Sequence, residues 1–210
     1  MEVKSFSKGD AVHFGWATTK TNIGFFIGLL IVAALIQIIP DAIGSLVAEE
    51  VPFIAFIIIF ASEVISMVIT MGLIKIAIKF CDNEKGEFAD LFSCFPLFFK
   101  YLFGSILYGL IILSGMILLI IPGIVWAIKF QFLPYFIIDK GLGPIKALKN
   151  SSAITTGVKW KLFVFELLLL GINLVGALCL LISLFATIPT ALVATAFVYR
   201  KLLAQTKIIQ

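Results

Sequence analysis

The fold class predicted by this sequence of 210 residues is all-α: a polytopic membrane protein with six transmembrane helices in three hairpins, joined by short amphipathic interfacial helices on the cytoplasmic side. Three observations carry that prediction. Hydrophobic residues make up 61% of the chain, about 128 side chains, and six bilayer crossings of about 20 residues each need roughly 120. Charged residues make up 13%, against about 25% in soluble domains. The mean hydropathy is +1.16, which is more apolar surface than a water-soluble globule can hide. A soluble enzyme is excluded. So are a disordered chain and a nucleic-acid-binding domain, because the net charge of +4 is spread over loops and not gathered into a basic stripe.

The chain reads as one integral membrane domain over residues 1–210. Met1 to Asn22 is too long and too mixed in charge for a signal-peptide n-region, and no A-x-A pattern follows the first apolar stretch, so that stretch is expected to remain as a helix. The first two spans are predicted at Ile23 to Ile39 and Pro52 to Ile78. After the polar patch Cys81 to Asp90, an apolar run extends from Tyr101 to Ile138. At about 1.5 Å per residue that run would reach roughly 57 Å, against a hydrocarbon core of about 30 Å, so it must fold back. Pro122-Gly123 marks the turn, which places spans three and four at about 101–121 and 124–138. Leu162 to Tyr199 is a run of the same length, bracketed by Lys161 and Arg200 as the earlier one is by Lys100 and Asp139. Its turn is expected between Ile182 and Pro189, giving spans at about 162–182 and 185–203. Cys81, Cys94 and Cys179 show no C-x-x-C spacing and are expected to be free thiols.

Orientation follows from the basic residues, because an excess of Lys and Arg marks cytoplasmic loops. Lys4, Lys8 and Lys20 precede the first span; Lys79, Lys85 and Lys100 lie between the second and third; Lys140, Lys146, Lys149, Lys159 and Lys161 lie between the fourth and fifth; Arg200, Lys201 and Lys207 follow the sixth. The opposite loops carry Asp41, Glu49 and Glu50 and no basic residue, so both termini are expected in the cytoplasm of a cell-membrane protein.

Each hairpin has an amphipathic lead-in on the basic side. Phe88, Leu91, Phe92 and Phe95 recur at i, i+3, i+4 and i+7 with Glu87, Asp90 and Ser93 opposite, the pattern of a short interfacial helix. Pro144 and Gly157 frame a second one, which sets Ile145, Leu148 and Ile154 against Lys146, Lys149 and Asn150. Asp10 to Thr19 is a weaker third. Trp16 and Trp160 stand where an aromatic belt would hold the following span. Three such units suggest a repeat, yet Pro122 follows Lys100 by 22 positions and Pro189 follows Lys161 by 28, so equal lengths follow as readily from two tight hairpins crossing one bilayer.

Chemistry is sparse. His13 is the one histidine, so no metal site, catalytic dyad or proton relay has a second imidazole. Nucleophile elbows, phosphate-cradling glycine loops and aspartate clusters are absent, and the protein is expected to be no enzyme and to carry no metal or cofactor. Intramembrane polar residues remain as candidates, because ionisable groups are costly at that depth: Glu63, Lys129, Gln131, Glu166 and Asn173. Glu63 and Lys129 are expected to pair, and Glu166 to pair with Lys161 at the boundary. Gly24 with Gly28, and Ser105 with Gly109, have the spacing of close helix packing, within the chain or in a homo-oligomer. Pro134 is expected to free a carbonyl and bend its helix, with Gln131 or a neighbouring helix supplying the repair.

Leu119-Ile120-Ile121-Pro122-Gly123-Ile124, Pro134-Tyr135-x-x-x-Asp139, Ala147-Leu148-Lys149-x-Ser151, Gly157-x-Lys159-Trp160-Lys161-Leu162-Phe163, then Pro189 and Tyr199-Arg200-x-Leu202 occur in that order. Over about residues 97 to 203 the chain resembles an uncharacterised prokaryotic family of six-helix integral membrane proteins. That family looks related to the membrane domain ahead of the catalytic domain in some glycerophosphoryl diester phosphodiesterases. The resemblance implies a six-helix membrane fold and assigns no site residue, and with about seven residues after Leu203 the phosphodiesterase activity is not expected of this chain.

The expected function is a non-catalytic membrane protein that docks a partner protein or anionic lipid headgroups through its cytoplasmic interfacial helices, with Lys146, Lys149, Lys159 and Lys161 as the interfacial basic residues. The alternative is a small transporter or channel using Glu63 and Lys129. The lipid bilayer is the implied partner, and nucleic acid is not.

Overall fold

The computed structural model describes residues 4–178 and 183–206. Within them the chain is helical throughout, with ten α-helices, one short 3₁₀ turn and no strand. Cys179 and Lys207 lie outside the described residues, as do the end of the predicted span 162–182 and part of the predicted Ile182 to Pro189 turn. The bundle is described below by its basic end, where the lysines gather, and its acidic end, near Asp41, Glu49 and Glu50.

Helix α1 (Lys8–Thr21) starts where Ser7 caps it, its Oγ accepting from the Asp10 N–H at 3.1 Å. This is the segment expected as the weakest interfacial lead-in, and one face of it, Ala11, Gly15 and Thr19, is buried. α1 runs antiparallel to the last helix, α10 (Leu184–Ala204): the Ser5 N–H donates to Gln205 Oε1 at 2.9 Å, and Phe14 stacks on Phe197 at 4.8 Å between centroids. Gly15 allows the approach, since a Cβ there would collide with the Thr190 carbonyl oxygen.

Helices α2 (Ile23–Val47) and α3 (Pro52–Cys81) form the first hairpin. α2 continues past the predicted end at Ile39, because Pro40 is accommodated inside the helix, and the connection at the acidic end shrinks to residues 48–51. The second lead-in is shorter than predicted. Helix α4 (Asp90–Ser93) is a single turn, followed by a 3₁₀ turn at Phe95–Leu97, because Pro96 cannot donate to continue the helix. Its Leu91 backbone lies directly on Gly72 of α3, and Asp90, expected on the polar outside, is buried against Lys79.

Helix α5 (Phe98–Leu118) pairs with α6 (Ile120–Phe130). The turn falls at Leu119, in extended conformation, and not at Pro122-Gly123. Pro122 sits instead in the first turn of α6, where its missing N–H costs nothing. Gly123 serves packing, because a Cβ there would strike Met116 while one at Gly115 would strike Trp126 and Gly123. The fourth predicted span, 124–138, is broken: α6 stops at Phe130 and α7 (Leu133–Lys140) resumes with Pro134 in its first turn. Helix α8 (Pro144–Thr155) lies under the break, and α9 (Lys159–Leu178) follows a turn at Gly157, whose φ of +89° favours glycine. Helix α10 begins at Leu184, inside the window predicted for the last turn, and Pro189 lies within the helix.

Five segments are long and apolar enough to cross a membrane: Ile23–Val47, Pro52–Cys81, Asp90–Leu118, Ile120–Lys140 and Lys159–Leu178. The sequence led to six. The sixth, α10, falls outside this group; three threonines, Pro189 and the Arg200-Lys201 pair dilute its apolar residues. It is nonetheless central, with Val193, Ala194, Ala196, Val198, Tyr199 and Leu202 buried. The core is concentrated at the basic end, where the second half of α3, all of α7, one face of α8 and the second half of α10 converge. At the acidic end the helices stand apart, and Leu46, Ile117 and Leu178 are 80%, 84% and 78% exposed. Apolar surface of this extent is what a hydrocarbon solvent covers.

Within the chain, Gly24, Gly28 and Gly109 make no close helix contact. Nothing lies within 4 Å of where a Cβ would sit on Gly24 or Gly109, and Gly28 faces only the Phe88 ring. Close approaches to another segment's backbone occur at Gly15, Gly72, Gly115 and Gly123, and to side chains at Gly44, Gly86, Gly104 and Gly176.

Candidate functional site

The chain break between α6 and α7 is repaired from outside. Ser151 Oγ and Thr155 Oγ1 of α8 donate to the Lys129 carbonyl at 3.1 and 3.0 Å, and the Phe132 N–H donates to Ser151 Oγ at 3.2 Å. A neighbouring helix therefore satisfies backbone groups at the break, the Lys129 carbonyl and the Phe132 N–H. Buried Ala147, Ser151 and Ile154 hold α8 against the bundle, while Ile145, Lys146 and Lys149 remain exposed. Lys4, its ammonium pKa lowered by partial burial, donates to the Ala153 carbonyl and ties the chain start to this helix.

Beside it, the basic ends of three helices are clasped by charge. Arg200 Nη1 and Nη2 of α10 donate to Asp139 Oδ2 and Oδ1 of α7 at 2.7 and 2.9 Å, and Nη2 reaches Asp82 Oδ2, just past α3, at 2.5 Å. The Tyr199 hydroxyl donates to Asp139 Oδ2 at 3.0 Å, and its fully buried ring packs on Phe132, Tyr135 and Phe136. Both carboxylate oxygens of Asp139 and both terminal nitrogens of Arg200 are engaged, and only Arg200 Nε is left without a partner among the described residues, so the group holds helices together. Sequence reading quoted Asp139, Tyr199 and Arg200 without giving them a role, because residues about 60 positions apart carry no mark of contact.

The five intramembrane candidates separate into two groups. Glu63 is exposed on α3, and Lys129 folds over the Phe130 ring at 4.8 Å from its centroid. Among the described residues no ion pair joins them. The expected pair fails because α3 packs chiefly on α2, α4 and α10, whereas α6 packs on α5, α8 and α9. The expected Glu166–Lys161 pair is also absent; Lys161 is exposed and Glu166 turns inward.

Glu166, Gln131 and Asn173 are brought together. One cavity of about 380 Å³ is lined by Tyr108, Ala127, Ile128, Gln131, Glu166 and Thr195. A second, of about 370 Å³, shares Glu166 and Thr195 and adds Tyr135 and Asn173 to an otherwise aliphatic wall. Glu166 and Asn173 are seven positions apart on α9, two turns on one face. From Lys159 they lie roughly 10 and 21 Å along the helix. No hydrogen bond or ion pair reaches Glu166 among the described residues. The buried Gln131 Nε2 and Asn173 Oδ1 are likewise without a partner there. Tyr108 and Tyr135 were missed by the sequence reading; Tyr135, four positions from Gln131, carried a spacing signal, whereas Thr195 carried none. Among the described residues no three His, Cys, Asp or Glu side chains gather to hold a metal ion.

Lys146, Lys149 and Lys161 are exposed and Lys159 half-buried, all at the basic end and none in an ion pair among the described residues. Trp160 between them is 73% exposed, its ring 5.4 Å from that of Phe163.

Comparison with known proteins bears on this half of the chain. Residues 110–206 match the model of a family described as "protein of unknown function (DUF975)". The match spans α6 to α10 with the last part of α5, and so includes the repaired break, the Arg200–Asp139 pair and the cavity lining around Glu166 except Tyr108. No curated protein and no solved structure matches the chain, and no glycerophosphoryl diester phosphodiesterase emerges.

Proposed function

We propose that this is a non-catalytic, multi-pass protein of the cell membrane that holds anionic headgroups of the inner leaflet on the basic face formed by α8 and the start of α9. One observation carries the reading. Between residues 97 and 178 seven lysines face only two acidic residues, Asp139 and Glu166. Asp139 is taken by Arg200 and Lys140, and Glu166 lines a cavity between helices, so Lys146, Lys149, Lys159 and Lys161 are left without an ion-pair partner among the described residues. Exposed Trp160 beside Lys159 and Lys161 supplies the amphipathic anchor that such a surface uses. At about 1 kcal/mol per basic residue near an anionic surface, Lys146, Lys149, Lys159 and Lys161 together contribute about 4 kcal/mol. The test is thermal stability in mixed micelles. Phosphatidylglycerol should raise Tm more than phosphatidylcholine does, and changing the four lysines to Gln should abolish the difference. Equal responses to the two lipids in the unaltered protein would reject the reading.

In this reading α10 is the sixth crossing and both termini are cytoplasmic, supported by the one-sided distribution of Lys and Arg. A reporter active only outside the cytoplasm should be silent when fused after Gln210 and active after Glu50. Activity at Gln210 would leave five crossings.

A second reading, transport of a small solute, is favoured by the cavities that meet at Glu166, and it moves away from Glu63 and Lys129. Solute flux into proteoliposomes, present in the unaltered protein and lost in Glu166→Gln, is its test.

A further inference from the structure

We propose that the paired cavities around Glu166 form a binding site for a small primary ammonium ion, an assignment that deepens the transport reading by naming its solute class.

The lining decides the sign of the ligand. Glu166 is the one charged side chain on either cavity wall among the described residues, and Lys129, two positions from Gln131, is directed to the Phe130 ring. An ionised carboxylate surrounded by helices, with no cation beside it, is costly in a membrane interior, and a bound cation offsets that cost. The remaining polar groups describe the cation. Asn173 Oδ1 is a buried acceptor without a donor, while the unpaired atom of Gln131 is Nε2, a donor suited to a carboxylate oxygen. An ammonium head has three N–H donors, enough for the Glu166 carboxylate and the Asn173 oxygen. Tyr108 and Tyr135 add aromatic rings to the wall, surfaces that attract a desolvated cation. The Tyr108 hydroxyl is already committed to the Ala127 carbonyl at 3.1 Å, and Thr195 Oγ1 to the Ala191 carbonyl at 2.8 Å, so these two hydroxyls are not competing donors to Glu166.

The walls also set the size. Leu169, Leu170, Ile188 and Leu192 line the same space with aliphatic surface, which suits an ammonium carrying a short alkyl chain. At about 370 and 380 Å³ the spaces fall at the lower end of the range of roughly 300 to 1,000 Å³ usual for small-molecule sites. A bare metal ion fits worse, since one carboxylate and two amides fall short of the six to eight oxygens that hard divalent cations take.

The test uses the full chain in phosphatidylcholine nanodiscs with radiolabelled methylammonium as probe. Saturable binding is expected, weakened at least tenfold in Glu166→Gln and in Asn173→Leu, unchanged in Glu63→Gln, and not displaced by equimolar sodium. Absence of saturable binding, binding that survives Glu166→Gln, or binding lost equally in Glu63→Gln would overturn the site. Should Glu166→Gln fail to fold, infrared difference spectra of Glu63→Gln protein replace it: methylammonium should perturb a carboxyl band, and a flat spectrum would overturn the site. Binding without uptake into proteoliposomes would remove the transport reading and leave the site standing.

Discussion

Arg200 meets Asp139 with both terminal nitrogens, Nη1 to Oδ2 at 2.7 Å and Nη2 to Oδ1 at 2.9 Å, and so fastens α10 to α7 where both helices leave the core. The Asp139 side chain is 9% exposed and that of Arg200 22%, so the pair is largely shielded from water. The geometry needs a planar fork, which lysine lacks.

Removing one member should therefore cost more than removing both. Asp139→Ala leaves Arg200 with only Asp82, and a loss on the order of 3 kcal/mol is expected from denaturant unfolding in detergent. Arg200→Lys should recover only part of that stability. A double mutant whose loss is the sum of the single losses would show that the two residues act independently.

The contact of α1 with α10 depends on the missing side chain of Gly15. Gly15→Ala should force the helices apart and destabilise by roughly 1 to 3 kcal/mol. Gly24→Ala, at a position with open space and ordinary helical backbone, should be neutral or stabilise by up to about 1 kcal/mol. Thermal unfolding of the two variants side by side checks the contrast, and equal effects would count against the observed packing.

Ser151 satisfies both the Phe132 N–H and, with Thr155, the Lys129 carbonyl. Ser151→Ala should cost about 1 to 3 kcal/mol by leaving a buried donor unpaired. Amide exchange at Phe132 should accelerate, while exchange in α2 should not change.

Glu63 and Lys129 should behave as independent residues. Glu63→Gln and Lys129→Met are expected to give stability changes that add within about 0.5 kcal/mol in the double mutant. A coupling larger than that in a thermal-melt cycle would mean the two side chains meet.

How much was legible from the sequence varies along the chain. The spans at Ile23, Pro52 and Tyr101 stand where apolar runs are long and bounded by lysines, because the requirement to cross hydrocarbon acts on composition alone. Helix ends were misplaced by a few residues at Pro40 and Pro122, whereas Pro52 and Pro144 open helices as expected. Pro40 and Pro189 lie inside helices, and Pro122 opens one, since a neighbouring turn or a packed partner can absorb one missing hydrogen bond. In the candidate site, Glu166 and Asn173 share a face that the i, i+7 spacing already implied, and both were singled out for depth alone. Their company of Gln131, Tyr108, Tyr135 and Thr195 comes from four other helices, α5, α6, α7 and α10, or the residues that join them, and no spacing within a strand of sequence encodes it.

By itself, the sequence determined that the chain is helical and apolar enough to enter a membrane, and that its basic residues gather at one end. Both follow from terms that add residue by residue: the transfer energy of side chains and the bias of charge. The tertiary structure alone decided which polar groups meet. It placed Glu63 and Lys129 on separate faces, set Ser151 under the break in α6–α7, closed Arg200 on Asp139 and left Glu166 beside unpaired amides. Those outcomes depend on where helix backbones can approach, at Gly15, Gly72, Gly115 and Gly123, and a close approach is a property of two surfaces at once.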